Sequence, residues 1–238
     1  MTATDLFRAG ALDEAIEALG ADLRSDPTDA QRRTFLFELL CFAGNWARAD
    51  KQLEMLRGRG QEAELGVALY RSALHAEQTR QSMFHDGEYP RTAVSETISG
   101  TLNGRAFAGL RDADPRIGAR LEVFAAGSYL WVPFEHIASI QMQPPRRLRD
   151  LLWIPALVRT GPGFRGVELG EVLLPVLAPL SWRHDDDAVR LGRVTAWETL
   201  DDGEPVPVGQ KLLLVDDEEV PILDIRELEI TPAPVAVS

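Results

Sequence analysis

Cysteine and histidine are scarce in this chain, and their scarcity removes several kinds of site. One cysteine among 238 residues excludes an internal disulfide and any cysteine-based zinc cluster. The four histidines lack the close spacing of a metallohydrolase ligand set. Cys41 lies in a strongly apolar segment, where a small buried side chain is its expected role. We therefore expect no metal and no other cofactor.

A long apolar run and an excess of positive charge are also missing. The longest apolar stretches, residues 151–158 and 172–180, are too short to span a bilayer. The first residues lack a basic region followed by an apolar one, so we expect no secretory signal and a cytoplasmic location. With 37 acidic and 25 basic residues the formal charge is −12. Because that field repels phosphates and acidic lipids, we expect neither nucleic acid nor membrane as a partner.

Catalytic motifs are rare, and the one that is present lacks its structural context. Residues 161–166 have the G-x-G-x-x-G spacing of a dinucleotide site, but that site needs a helix to follow. Residues 167–175 are strand-like, so a hairpin loop is the better interpretation. A Ser/His/Asp triad stays open, because its members can lie anywhere in a sequence. We expect a protein that is not an enzyme.

The first hundred residues show helical periodicity and a short repeat. Gly10 aligns with Gly44 and Ala15 with Ala49, and both separations are 34 residues. This is the period of the tetratricopeptide repeat, in which Gly turns the chain between antiparallel helices and Ala lets them approach. We predict TPR-like helices, the last of them at residues 91–110. An unrelated bundle of helical hairpins is the alternative.

The chain changes character near residue 118. Short apolar segments bounded by Gly, Pro and Asp predict strands. Eight are predicted, at residues 120–126, 129–132, 137–142, 152–158, 167–174, 190–198, 211–215 and 220–225. Their short connections favour an antiparallel sheet or a small barrel. We therefore predict an α+β protein of two domains, with TPR-like helices at 1–112, a mostly β domain at 118–232 and a tail at 233–238.

Two surfaces are candidates for binding another protein. Helical repeats form a groove that accepts a peptide, and the repeat alignment points six side chains into it. These are Gln31, Thr34, Glu38, Phe42, Ser72 and His75. The rival surface combines tryptophan and arginine, which are typical interface anchors, although core tryptophans beside arginines explain the same pattern. Its residues are Trp131, Arg149, Trp153, Arg190, Arg193 and Trp197.

A longer set of motifs runs through the chain in order. They are RTFLFELLC at 33–41, GNW at 44–46, YR at 70–71, AE at 76–77, YLWVPF at 129–134, RDLLW at 149–153 and RLGRVTAW at 190–197. In these motifs the chain resembles the ImpE/TagJ (SciE) family, accessory proteins of bacterial type VI secretion systems. The similarity covers nearly the whole chain, so it is more specific than the repeat alone.

The resemblance implies a partner. It implies a cytoplasmic adaptor that binds the small subunit of the contractile sheath, through a short helical segment of that subunit. Such binding would influence sheath assembly, or its recycling by the ClpV unfoldase, which would be an indirect partner. The family offers no catalytic residue to carry over. The alternative function is a small-ligand-binding or hydrolytic protein that uses an Arg/Trp-lined pocket of the β domain.

Overall fold

The structure is a computed structural model, and it describes residues 1–58, 60–90, 94, 97–161, 163–200 and 203–232. Helices fill the N-terminal part of the chain, as the periodicity predicts. They are α1 (Ala3–Ala9), α2 (Leu12–Ser25), α3 (Ala30–Phe42), α4 (Trp46–Glu54) and α5 (Gln61–Asp86). A short helix, α6 (Asp187–Arg190), follows much later.

The glycines of the repeat lie at the turns between paired helices. Gly10 ends α1 with a φ of 86°, and Gly44 separates α3 from α4 with a φ of 67°. Both values lie in the left-handed region that favours glycine. Gly44 also has no room for a side chain, because an added Cβ would lie 2.4 Å from the Trp182 ring. The helical hairpins are confirmed, whereas their identity as TPR repeats stays a prediction.

The predicted helix at residues 91–110 is wrong where the structure describes it. Strands β1 (Gly100–Leu102), β2 (Arg105–Phe107) and β3 (Leu110–Asp112) occupy this region. Asn103 and Gly104 join β1 to β2 with φ values of 49° and 82°. Asn-Gly is the preferred pair for a two-residue hairpin turn with positive φ at both positions, and that signal outweighs weak helical periodicity. Residues 91–93, 95 and 96 of the predicted helix lie outside the described residues.

The remaining strands are antiparallel, as predicted. They are β4 (Arg120–Ala125), β5 (Ser128–Pro133), β6 (Ile137–Met142), β7 (Trp153–Thr160), β8 (Gly170–Pro175), β9 (Thr195–Thr199), β10 (Pro205–Gly209), β11 (Leu212–Val215), β12 (Glu218–Pro221) and β13 (Glu227–Ile230). The large sheet has eight strands in the order β2-β1-β13-β6-β7-β8-β4-β5. The edge strands of this order, β2 and β5, are not neighbours, so the described strands form an open sheet and not a closed barrel. The α+β class is confirmed.

Two smaller sheets complete the fold, β10-β9 and β12-β11-β3. The strand predicted at 190–198 begins too early, because Asp186 accepts a hydrogen bond from the Ala188 amide and caps α6. After the Gly-rich segment, the described residues 163–175 contain β8 and no helix, which disagrees with a dinucleotide site. β10 and β13 are not predicted by the sequence, since each is short and β10 contains Pro205 and Pro207, which argue against a strand.

The helices and the large sheet share one hydrophobic core. Phe124, Trp153 and Leu173 of the sheet pack with buried residues of α2, α3 and α5. The opposite face of the sheet forms a second core, around residues such as Val123, Val158 and Leu228. The predicted boundary between two domains, at residues 112–118, stays a prediction. Strands already begin at residue 100. The tail at 233–238 lies outside the described residues.

A buried network of charges ties α5 to the strands. Arg80 is fully buried and donates to both Glu122 carboxylate oxygens, at 2.7 and 3.0 Å. It also donates to Glu77, at 3.1 Å. Lys211 donates to Glu122 at 2.6 Å and pairs with Asp112. Burial alone would raise the pKa of Glu122, but Arg80 and Lys211 outweigh it and lower the pKa to about 2.

This network predicts an unequal response to removing two arginines. Arg80→Met should lower the free energy of unfolding by about 3–5 kcal/mol, because it leaves the buried Glu77 without its cation and Glu122 with Lys211 alone. Arg105→Met removes an exposed pair with Glu218, whose side chains are 77% and 64% exposed, and should cost under about 1 kcal/mol. Urea unfolding at neutral pH measures both. Equal losses in the two variants would contradict the central role of Arg80.

Candidate functional site: an apolar valley between α5 and the sheet

A cavity of about 700 Å³ lies where α5 meets the large sheet. From α5 it is lined by Ala68, Leu69, Tyr70, Ser72 and Ala73. From the strands and the β4–β5 turn it is lined by Phe124, Ala126, Gly127, Gln141, Gln143, Pro155, Ala156, Leu157, Glu171, Val172 and Leu173. Most of these side chains are apolar, which is typical of a site that binds by burying apolar surface.

The β4–β5 turn closes the cavity against α5. Gly127 has a φ of 81°, and a Cβ added there would lie 3.4 Å from the Cβ of Ser72. A Cβ at that distance would make an ordinary contact, so the left-handed backbone, and not a lack of space, is what favours glycine here.

The floor of the cavity is one face of the sheet. Strand register pairs Glu227 with Gln141, Gln141 with Leu157, and Leu157 with Glu171. Paired residues project from the same face, so these four side chains form a row across β13, β6, β7 and β8. Gln141, Glu171 and Glu227 are exposed, and Leu157 is half-buried.

The helices cover only part of this face. α5 packs on β4 and β5. Phe124 and Leu173 are consequently buried in the core that the helices share with the sheet. Towards β6 the same face is exposed at Gln141 and Gln143. The cavity lies at this border between the covered and the open parts of the face.

The apolar surface continues from the cavity onto α5. Leu65 and Leu69 are 67% and 50% exposed, and they lie one helical turn apart on the same side of α5. Exposed apolar residues beside a cavity are typical of a protein interaction site. We call the cavity residues together with Leu65 the valley.

The predicted groove residues are not gathered into one open site. Gln31 is exposed on α3, and the Thr34 hydroxyl donates to the Ala30 carbonyl at 2.9 Å. Phe42 is completely buried in the shared core. On α5, Ser72 lines the valley and His75 is exposed. Of the six residues, all within the described part of the chain, Ser72 alone lines the cavity. A role of the six in partner binding stays a prediction.

Glu38 is the most informative of the groove residues. It is buried, and its carboxylate lies 3.3 Å from Arg149 Nε. Arg149 also lies over the Tyr70 ring, 4.7 Å from its centroid. The two rival surfaces therefore meet in an intramolecular ion pair. Burial raises the pKa of Glu38 to about 7, with a contribution from the Asp150 charge, and Arg149 opposes the increase.

Trp153 and Trp182 fill the space between the helices and the strands. The buried Trp153 indole donates to Glu77 at 2.9 Å, and its ring lies 6.4 Å from that of Phe37. Trp182 donates to Gln81 at 3.2 Å. The helices thus use their inner side to bind strands of their own chain.

Most other residues of the rival surface also make intramolecular contacts. Arg190 pairs with Asp13 at 3.0 Å and with Asp187 at 2.6 Å. Arg193 donates to the Arg8 carbonyl at 3.1 Å and contacts the Phe7 carbonyl at the end of α1. These contacts hold the first helical hairpin against the strands.

The two remaining tryptophans of this surface differ in exposure. Trp131 packs with Phe84 and Tyr89, with ring centroids 5.8 and 6.3 Å away. Trp197 on β9 is 44% exposed, so it remains accessible to a partner.

The lining of the valley carries few ionisable groups. Its ionisable lining residues are Glu171 and Tyr70, and its lining contains neither Arg nor Trp. It is therefore a different site from the Arg/Trp-lined pocket of the alternative function. Among the described residues, no group of three or more His, Cys, Asp or Glu side chains could hold a metal ion. Within the same residues, no helix is long and apolar enough to cross a membrane.

The environment of Glu38 predicts a pH-dependent stability. Its pKa rises from 4.5 to about 7 on folding, so the folded state holds the proton more tightly. The stability that this group contributes is present below pH 4.5 and is lost as the pH rises towards 7. Relative to Glu38→Gln, the parent should lose roughly 1–3 kcal/mol of unfolding free energy over this range. Urea unfolding from pH 4.5 to 8 measures it, with the exposed Glu135→Gln as control. Parallel curves for the parent and Glu38→Gln would refute the assignment.

Comparisons with known proteins agree with one another. The model of the family described as ImpE protein matches residues 104–229. The type VI secretion system accessory component TagJ of Pseudomonas aeruginosa is 35% identical over 266 aligned positions, covering 98% of this chain and 92% of the relative. The crystal structure of protein VPA1032 from Vibrio parahaemolyticus has a TM-score of 0.84 at 25% identity, covering 98% of both chains.

The relative and the crystal structure match the helical part as well as the strands, because both alignments span nearly all of this chain. The resemblance seen in the sequence motifs is thereby confirmed. This chain belongs to the ImpE family.

Proposed function

We propose that this protein is a non-enzymatic accessory component of a type VI secretion system, located in the cytoplasm, that binds the small sheath subunit. The valley is the observation that carries the proposal. It offers a cavity of about 700 Å³ and two exposed leucines on α5. The name of the Pseudomonas aeruginosa relative, a type VI secretion accessory component, supports the assignment to that system.

The shape of the valley favours a short helix as the bound segment. One wall is α5 and the floor is a sheet face, so a second helix lying beside α5 would contact both. Amphipathic helices bind such grooves through apolar residues spaced three or four positions apart. A helix would also satisfy its own backbone hydrogen bonds while it covers the apolar floor.

Binding there would influence sheath assembly or recycling. While its terminal helix is bound in the valley, the sheath subunit cannot offer that helix to another protein such as the ClpV unfoldase. ClpV is thus an indirect partner in this proposal. TPR-like helices α1–α4 act as the support that holds α5 in place, since α4 packs on α5.

Replacing Leu69 should weaken this binding. Leu69→Ser removes apolar contact at the centre of the valley and should reduce affinity for the sheath subunit by about 1–3 kcal/mol. The experiment is isothermal titration calorimetry of the full chain with a peptide of the subunit's first helix. Val194→Ser is the matched control. Val194 lies next to β9, outside the valley, and its exposed fraction of 48% is close to the 50% of Leu69.

Three outcomes separate the alternatives. A loss confined to Leu69→Ser supports the valley. An unchanged Leu69→Ser together with a loss in Trp197→Ser would move the binding surface to β9. If the parent does not bind the peptide, the sheath partner itself is wrong.

A further inference from the structure

We infer that the valley selects a basic amphipathic helix, whose apolar face contacts Leu69 and Leu157 and whose lysines or arginines face Glu227 and Glu229. The inference rests on the proposed function, because it names the chemistry of the segment bound in the same valley. It follows from the order of side chains across the open face of the sheet.

The apolar and acidic residues lie on opposite sides of the space for a ligand. α5 contributes Leu65 and Leu69 on one side. β13 lies at the other side of the floor, next to β6, and carries Glu227 and Glu229. Register places Glu227 beside Gln141 and Glu229 beside Ser139, so both carboxylates project from the face that forms the valley floor.

Among the described residues, the acids on the open part of this face are not neutralised by a base of the chain. Gln141 donates to Glu227 at 3.3 Å, and Thr101 donates to Glu229 at 3.5 Å. Among the described residues, neither carboxylate forms an ion pair with Lys or Arg, and neither does Glu171 on the floor. Arg159 is a base on the same face, paired in register with Ser139. Three acids against one base leave the open part of the face negative.

The width of the face suits a single helix. Glu227 and Glu171 are separated by three strand spacings, about 14 Å. A helix with its side chains is about 10–12 Å across. One helix therefore fills the space between α5 and β13, with one edge against the leucines and the other against the glutamates.

Charge also disfavours the other occupants. A second copy of this chain would bring its own α5 stripe, which begins next to Glu62 and Glu64, towards the glutamates of β13. Like charges at such an interface weaken association. Nucleic acid and acidic lipid are repelled for the same reason. A cationic protein helix is the occupant that both the leucines and the glutamates attract.

The test reverses charge in the valley and at a matched site. The valley variant is Glu227→Lys/Glu229→Lys, and its control is Glu218→Lys/Glu219→Lys. Each replaces two exposed acids of one strand, so the two variants change the net charge equally. Calorimetry uses the full chain at about 50 mM and about 300 mM salt. The probes are the peptide of the sheath subunit's first helix and a designed helix with leucines on one face and lysines at its edges. A twin of the designed helix carries glutamates instead.

We expect the valley variant to bind the sheath peptide and the lysine helix at least tenfold more weakly at low salt, and the control to bind like the parent. The difference should shrink at high salt, because ions screen exposed charges. The valley variant should prefer the glutamate twin. Equal binding of the lysine and glutamate helices by the parent would overturn the inference. So would a sheath peptide that binds the parent and the valley variant equally, while the proposed function would stand. If only the designed lysine helix binds, the inference holds and the sheath partner is wrong.

Discussion

The fully buried Arg80 fixes the position of α5, and the rest of the architecture depends on that position. Its guanidinium bonds Glu77 on its own helix and Glu122 on β4, and Lys211 adds a second cation to Glu122. A buried charge is stable only with its partners in place, so the network permits one arrangement of helix and sheet. Trp153 and the Glu38–Arg149 pair extend the same contact towards α3.

This arrangement determines which surfaces are left for a partner. The inner side of the helices binds strands of the same chain, so an open peptide groove is not where the repeat placed it. The sheet is wider than the part that the helices cover, so a strip of the same face stays exposed beside α5. The valley arises from that mismatch in width. Its proposed ligand therefore rests on a floor of strands and a wall of helix.

The sequence predicts the two kinds of secondary structure, the turns at Gly10 and Gly44 and the family, because each depends on local pattern or ordered motifs. It does not predict the valley. Leu65, Leu69 and Ala73 share one apolar stripe of α5, yet of these three only Ala73 is buried. How much of the stripe the sheet covers depends on where the strands lie, which the local sequence does not specify. Likewise the sequence places Glu38 and Arg149 on rival surfaces, since pairing across 111 positions leaves no local signal.

Site-specific photo-crosslinking to the intact small sheath subunit tests the central claim most directly. A photoreactive phenylalanine analogue replaces Leu69 on the helix wall of the valley or Gln141 on its floor. In other variants it replaces Gln31 or Trp197, at the two surfaces that the sequence favours. The account predicts crosslinks from Leu69 and Gln141 to one short helical segment of the subunit, mapped by mass spectrometry. Crosslinks from Gln31 or Trp197, with none from Leu69 and Gln141, would contradict it.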